Sequence, residues 1–112
     1  MKAIEEILTE ILDLGEGWVM KDMKVDRRIK EIDIFIEYKN SAGYFPDTKE
    51  LLDIYDLGSP RRIRHLDIFD YKCYLNARIP RVRNGKKEVR NIALKWADER
   101  VSFSYLFEIR VI

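Results

Sequence analysis

Tyr71-Lys72-Cys73-Tyr74-Leu75-Asn76-Ala77-Arg78-Ile79-Pro80-Arg81-Val82-Arg83-Asn84-Gly85-Lys86-Lys87-Glu88 is the run from which the fold is most directly read. The odd positions Tyr71, Cys73, Leu75, Ala77 and Ile79 are apolar, and Lys72, Asn76 and Arg78 stand opposite. That period of two belongs to a strand with one buried face. Pro80 has no N–H to give to a ladder and is expected to close the strand. Asn84-Gly85 is a hairpin signal because both residues tolerate a tight turn, and Glu88 to Leu94 would be the returning strand.

The same alternation lies further upstream. Ile32, Ile34, Ile36 and Tyr38 alternate with Asp33, Phe35 and Glu37, which predicts a second half-buried strand. Trp18, Met20, Met23 and Val25 fit a strand that slips register near Lys21-Asp22, with Asp26-Arg27-Arg28 as the turn between the two. Asn40 to Gly43 reads as a turn. Pro46-Asp47-Thr48 would open a short helical turn through Leu51 and Leu52, and Gly58-Ser59-Pro60 would break the chain again before a short strand over Arg61 to Asp67.

The two ends carry a different period. From Lys2 to Leu14 the residues Ala3, Ile4, Ile7, Leu8, Ile11 and Leu12 recur at three- and four-residue steps, which predicts a helix ended by Gly15 and Gly17. Phe103, Leu106, Phe107 and Val111 predict a short carboxy-terminal helix with no cap and no polar tail. Such an ending is expected of the front part of a longer protein, or of a segment that docks on a partner, including a second copy of the chain. The fold expected from all of this is α+β: an amino-terminal helix, antiparallel hairpins and a short final helix.

With 112 residues, 46% of them hydrophobic, the chain has material for one core and one domain. No apolar run approaches the ~20 residues needed to cross a bilayer. The first residues lack the layout of a signal peptide, so a cytoplasmic protein is expected. The lone Cys73 has no disulfide partner within the chain and is expected as a small buried group.

The net charge of +1 hides a division along the chain. Residues 1–56 carry 8 Lys/Arg against 14 Asp/Glu, a net of −6; residues 57–95 carry 11 against 3, a net of +8; residues 96–112 carry 2 against 3. A cationic middle of this kind points to a polyanionic partner or to the acidic parts of the same protein. The cations singled out are Arg61, Arg62, Arg64, Arg78, Arg81, Arg83, Lys86, Lys87 and Arg90, with His65 among them as a structural residue or phosphate contact. Arginine predominates, and its planar guanidinium makes bidentate contacts to phosphate or to a guanine edge. Two readings fit this set. In one, a cationic hairpin tip follows a phosphate backbone; in the other, the charges solvate the hairpin and pair with the acidic first half.

Catalytic machinery is not expected. His65 is the single histidine, and no nucleophile stands in a recognisable pattern with it. The five glycines are scattered, and none forms a phosphate-cradling loop followed by Lys-Ser/Thr. No cofactor is expected.

The run from Arg64-His65-Leu66-Asp67-Ile68-Phe69 through Tyr74-Leu75-Asn76-Ala77-Arg78-Ile79-Pro80-Arg81-Val82-Arg83 resembles the amino-terminal domain of the ISL-type bacterial insertion-sequence transposases. That domain typically reads Trp-Arg-His-Leu-Asp-Phe-Phe and then Tyr-Leu-His-Ala-Arg-Val-Pro-Arg-Val. The likeness extends to Gly17-Trp18, to the Ile32 to Tyr38 strand, and to Lys95-Trp96-Ala97, Phe103 and Leu106-Phe107-Glu108. The resemblance implies a DNA-recognition module with a zinc-ribbon-like arrangement of hairpins. In the family a helix-turn-helix and a metal-dependent catalytic domain follow, and neither falls within these 112 residues. The family's zinc ligands would fall on Phe45-Pro46-Asp47-Thr48 and on Asn84-Gly85-Lys86-Lys87, where no thiolate or imidazole stands. A metal-free ribbon is therefore expected. The expected function is non-catalytic DNA binding through the basic hairpin; the alternatives are a protein-interaction or oligomerisation module and a non-functional remnant of a mobile element.

Overall fold

The computed structural model describes residues 14–96. Among them the chain is all-β, with six strands and no helix. This overturns the α+β expectation. The two helices expected at the ends, over Lys2 to Leu14 and Val101 to Ile112, lie outside the described residues apart from Leu14, which is buried. No helix among the described residues is long and apolar enough to cross a membrane.

The strands are β1 (Trp18–Asp26), β2 (Glu31–Tyr38), β3 (Ala42–Tyr44), β4 (Leu51–Ile68), β5 (Tyr71–Arg83) and β6 (Val89–Asn91). They lie in the order β1-β2-β5-β4-β3, and β6 also pairs with β5. Four antiparallel pairings join neighbours in sequence: β1 with β2, β3 with β4, β4 with β5, and β5 with β6. The remaining pairing is parallel, between β2 and β5, from Glu31↔Lys72 to Phe35↔Asn76. An arrangement of antiparallel hairpins alone, as expected for a ribbon, is therefore corrected: the first hairpin is grafted onto the centre of the sheet through a parallel seam.

Local signals fail where cross-strand pairing outweighs them. No helical turn forms at Leu51 and Leu52. Phe45 O accepts from Lys49 N at 2.8 Å, Lys49 takes a left-handed φ of 58°, and the chain turns straight into β4, where Leu52 pairs with Gly43. Gly58-Ser59-Pro60 does not end a strand either. It is absorbed as an irregularity between Leu57 and Pro60 in an 18-residue strand. Glycine suits position 58, since a Cβ there would lie 3.0 Å from Ile79 O. Opposite this irregularity β5 passes through Pro80 rather than stopping at it, because a bulged partner asks for no N–H at that point.

The bulge also switches which side chains face inward along β5. From Cys73 to Ile79 the odd positions are buried, and from Pro80 the even ones, Pro80 and Val82. The expected slip in β1 is present between Met20 and Asp22. The returning strand is shorter than Glu88 to Leu94: β6 ends at Asn91, Ile92 N still donates to Pro80 O of β5 at 2.9 Å, and then Ala93 N donates to Tyr44 O of β3 at 2.8 Å. That bond brings the chain after β6 against β3, so this end of the sheet curls back on itself. Gly43 permits the close approach, since a Cβ there would run into the Ile92 side chain. The concave side holds Ile34, Ile63, Leu75, Ile79 and Val82, all fully or almost fully buried. Trp18 and Trp96 close one end of the core edge to face, with ring centres 5.6 Å apart.

Candidate nucleic-acid interface

The predicted basic residues separate into three groups. Arg62, Arg64, Arg81 and Arg90 are bound to carboxylates. Arg62 Nε donates to Asp33 Oδ1 at 2.8 Å and Nη2 to Glu31 Oε1 at 2.9 Å, and its guanidinium lies on the Tyr74 ring, 3.6 Å from the ring centre. That hydrogen bond, more than any other influence, holds the Asp33 carboxyl below its ordinary pKa. Arg64 pairs with Asp67 and also donates to His65 O and Cys73 O. Arg81 grips both oxygens of Asp56, its cross-strand partner on β4. Each of these groups has a clear electrostatic task within the fold.

His65 belongs to a second group, set by burial. It faces the core across from Cys73 with 5% of its surface exposed. Burial, and then the neighbouring Arg64 charge, push its pKa below the ordinary value. Burial likewise raises the Cys73 thiol to about 11.

The third group is Arg61, Arg78, Arg83, Lys86 and Lys87. Arg78 is exposed and braces the β4 irregularity, donating from Nε to Gly58 O at 2.9 Å and from Nη2 to Leu57 O at 3.4 Å. Arg61, half-buried, faces Ala77 across the β4–β5 ladder. Arg83, Lys86 and Lys87 are exposed together at the β5–β6 hairpin, and among the described residues none of the three is in an ion pair. Arg83 lies over the exposed Tyr55 ring at 5.7 Å.

The hairpin is built differently from a two-residue Asn-Gly turn. Asn84 O accepts from Lys87 N at 3.0 Å, and Asn84 N donates to Glu88 O at 3.0 Å. It is Lys87, with φ 66°, that takes the left-handed conformation, while Gly85 does not. The Asn84 side chain pins this loop, with Oδ1 accepting from Lys86 N at 2.9 Å and Glu88 N at 3.0 Å. The three cations therefore project from a braced turn.

Phe45–Thr48 and Asn84–Lys87, the two segments onto which the family's zinc ligands would fall, are linked by Arg90. It leaves β6 just past the second of them, pairs with Asp47 at 3.1 Å, and lies 5.7 Å from the centre of the Phe45 ring.

What the sequence left unmarked is the opposite face of the sheet. Across three adjacent strands Phe35, Asn76 and Arg62 stand in one register row, and Asp33, Tyr74 and Arg64 in the next. The signal was an aromatic at the wet position of each alternation, Phe35 in β2 and Tyr74 in β5. No family model, no curated protein and no solved structure matches the chain.

Proposed function

We propose that this chain is a non-catalytic cytoplasmic module that binds duplex DNA along its phosphate backbone through the β5–β6 hairpin, as the resemblance to insertion-sequence transposases implies. The observation that carries the reading is the contrast among the cations. Arg62, Arg64, Arg81 and Arg90 serve carboxylates of the fold, whereas Arg83, Lys86 and Lys87 gather on one braced turn with no ion pair among the described residues. Cations held apart from carboxylates are the ones that can displace counterions from DNA. DNA contact thus narrows from ten residues to these three, flanked by the exposed Arg78.

Fluorescence anisotropy across a salt series tests it, with mixed-sequence duplexes and terminal-repeat duplexes of insertion elements. Wild-type binding should weaken as salt rises. The triple variant Arg83→Gln, Lys86→Gln, Lys87→Gln should bind more weakly, with a log–log salt slope shallower by roughly 2–3. An unchanged slope would assign the surface elsewhere.

A second reading draws on the other end of β5. Met23, Val25, Ile29 and Phe69 are exposed there, with Phe69 96% accessible. An interaction or self-association module would use such a patch. Light scattering at high protein concentration separates the two, since a monomer counts against self-association.

A further inference from the structure

The geometry points to a nucleotide-binding groove at the fork where β2 parts from β5, a cleft that the outward-facing Phe35 and Asn76 share with the core residues Ile36 and Ala77. The pairing between these strands ends at Phe35↔Asn76, and β5 gains β6 only from Arg81 onward. Between these points β2 stays paired with β1 alone, and β5 has no ladder partner on that side from Ala77 to Ile79, after which Pro80 O accepts from Ile92 N. The opening is a groove of about 480 Å³, within the size range of small-ligand sites.

Its lining has the three parts that a nucleotide needs. Phe35 supplies a ring on the floor, with Lys24 Nζ of β1 over it at 5.4 Å from its centre, and Leu57 and Pro60 form an apolar wall from the β4 irregularity. A nucleobase stacks on such surfaces whatever its identity. Beside the ring is the Asn76 amide, whose Nδ2 donates to Asp33 Oδ1 at 2.8 Å; this fixes the amide plane and leaves its oxygen as an acceptor for a base edge.

The rim is cationic. Lys21 and Arg78 border the groove, and the one carboxylate in its lining, Glu37, is neutralised by Lys39 at 2.9 Å. Arg62 also lines it but is committed to Asp33 and Glu31. Arg78 is held in place by the carbonyls of Gly58 and Leu57. An aromatic floor, a fixed amide and a positive rim select a planar ring carrying a phosphate. The ligand is either a free nucleotide or an unpaired residue of a nucleic-acid strand. A stacked duplex hides its base faces and cannot use the floor. The hairpin tip is a separate surface, so this site neither requires the duplex reading nor restates it.

Calorimetric titration of the full chain tests the groove with adenosine monophosphate, a short single-stranded oligonucleotide, a blunt duplex and the same duplex with an overhang. The single strand and the overhang should bind more tightly than the blunt duplex. Phe35→Ala should weaken single-strand binding roughly ten-fold while leaving duplex binding unchanged, and Phe35→Tyr should restore it. Lys21→Gln, at an exposed position, should weaken it as well. Saturable binding of the mononucleotide identifies a free nucleotide as the ligand; binding of strands alone identifies an unpaired residue. The hairpin-tip triple variant should keep the preference for the unpaired strand, so the two surfaces can fail independently. Equal affinity for blunt duplex and single strand with no effect of Phe35→Ala, or no binding of any of these probes, overturns the proposal.

Discussion

The guanidinium of Arg62 lies 3.6 Å from the centre of the Tyr74 ring while donating to Asp33 and Glu31 on the far side of β5. One side chain of β4 thus spans the central strand and ties it to β2, reinforcing the parallel seam where backbone pairing covers only Glu31 to Phe35. Because the Arg62 side chain is 45% exposed, each ion pair is screened, and the stacking and the planar fork matter as much as the charge. Arg62→Ala should lower unfolding stability by about 1 kcal/mol, and Arg62→Lys should recover less than half of that. Chemical denaturation of the two variants checks this; full recovery by lysine would mean that charge alone is at work.

Phe69 should be a site of easy stabilisation. It occupies a two-residue turn between Ile68 and Tyr71, takes φ 54°, and is 96% exposed. A bulky side chain in the left-handed region costs of order 1 kcal/mol, and an exposed ring gains almost no burial to offset it. Phe69→Gly should raise stability by about 1 kcal/mol. A fall in the thermal midpoint would reveal that the ring has a contact of its own.

Acid should weaken the fold in two stages. The folded-state pKa of His65 lies below the ordinary 6.5 through burial, so the unfolded chain takes up the proton first. The stability that neutral His65 confers is complete above that value and is lost as the pH falls through the folded-state pKa. Asp33, held low chiefly by Arg62, follows the same sign from its ordinary 3.8 downward. Thermal midpoints should therefore decline first on acidification below about 6.5, well before the carboxylates respond. His65→Gln should flatten the first decline and leave the second.

Cys73 should be inert in the native protein. Its side chain is fully buried, and burial raises the thiol to about 11, so little thiolate exists at pH 8 and none of it meets solvent. Iodoacetamide labelling followed by mass spectrometry should show modification only after denaturation. Rapid labelling of native protein would place this part of the central strand in exchange with an open form.

Much of the sheet was legible in the alternation of Ile32, Ile34 and Ile36 and of Cys73, Leu75 and Ala77, because a buried face leaves a period of two in the sequence. The slip near Lys21-Asp22 was legible for the same reason, as a break in that period. The parallel seam left no such mark: no turn residue encodes it, and it joins segments about forty residues apart. Gly58-Ser59-Pro60 and Pro80 are local breakers overridden by each other's bulge, which is visible only once β4 and β5 are paired. At the candidate site the cationic tip could be read from composition. The withdrawal of Arg62, Arg81 and Arg90 into ion pairs could not, since their carboxylates stand 29, 25 and 43 residues away in the chain.

The central position of β5 has a further consequence for synthesis on the ribosome. Its partners β2 and β4 both precede it, and β1–β2 touches the rest of the ladder only through it. Until Arg83 has left the exit tunnel, the emerging chain consists of isolated hairpins, each marginal in water. The growing polypeptide must therefore carry Ile32, Ile34, Ile36 and Ile63 unburied, and arrested chains ending before Tyr71 should be protease-sensitive where those ending well beyond β6 are not.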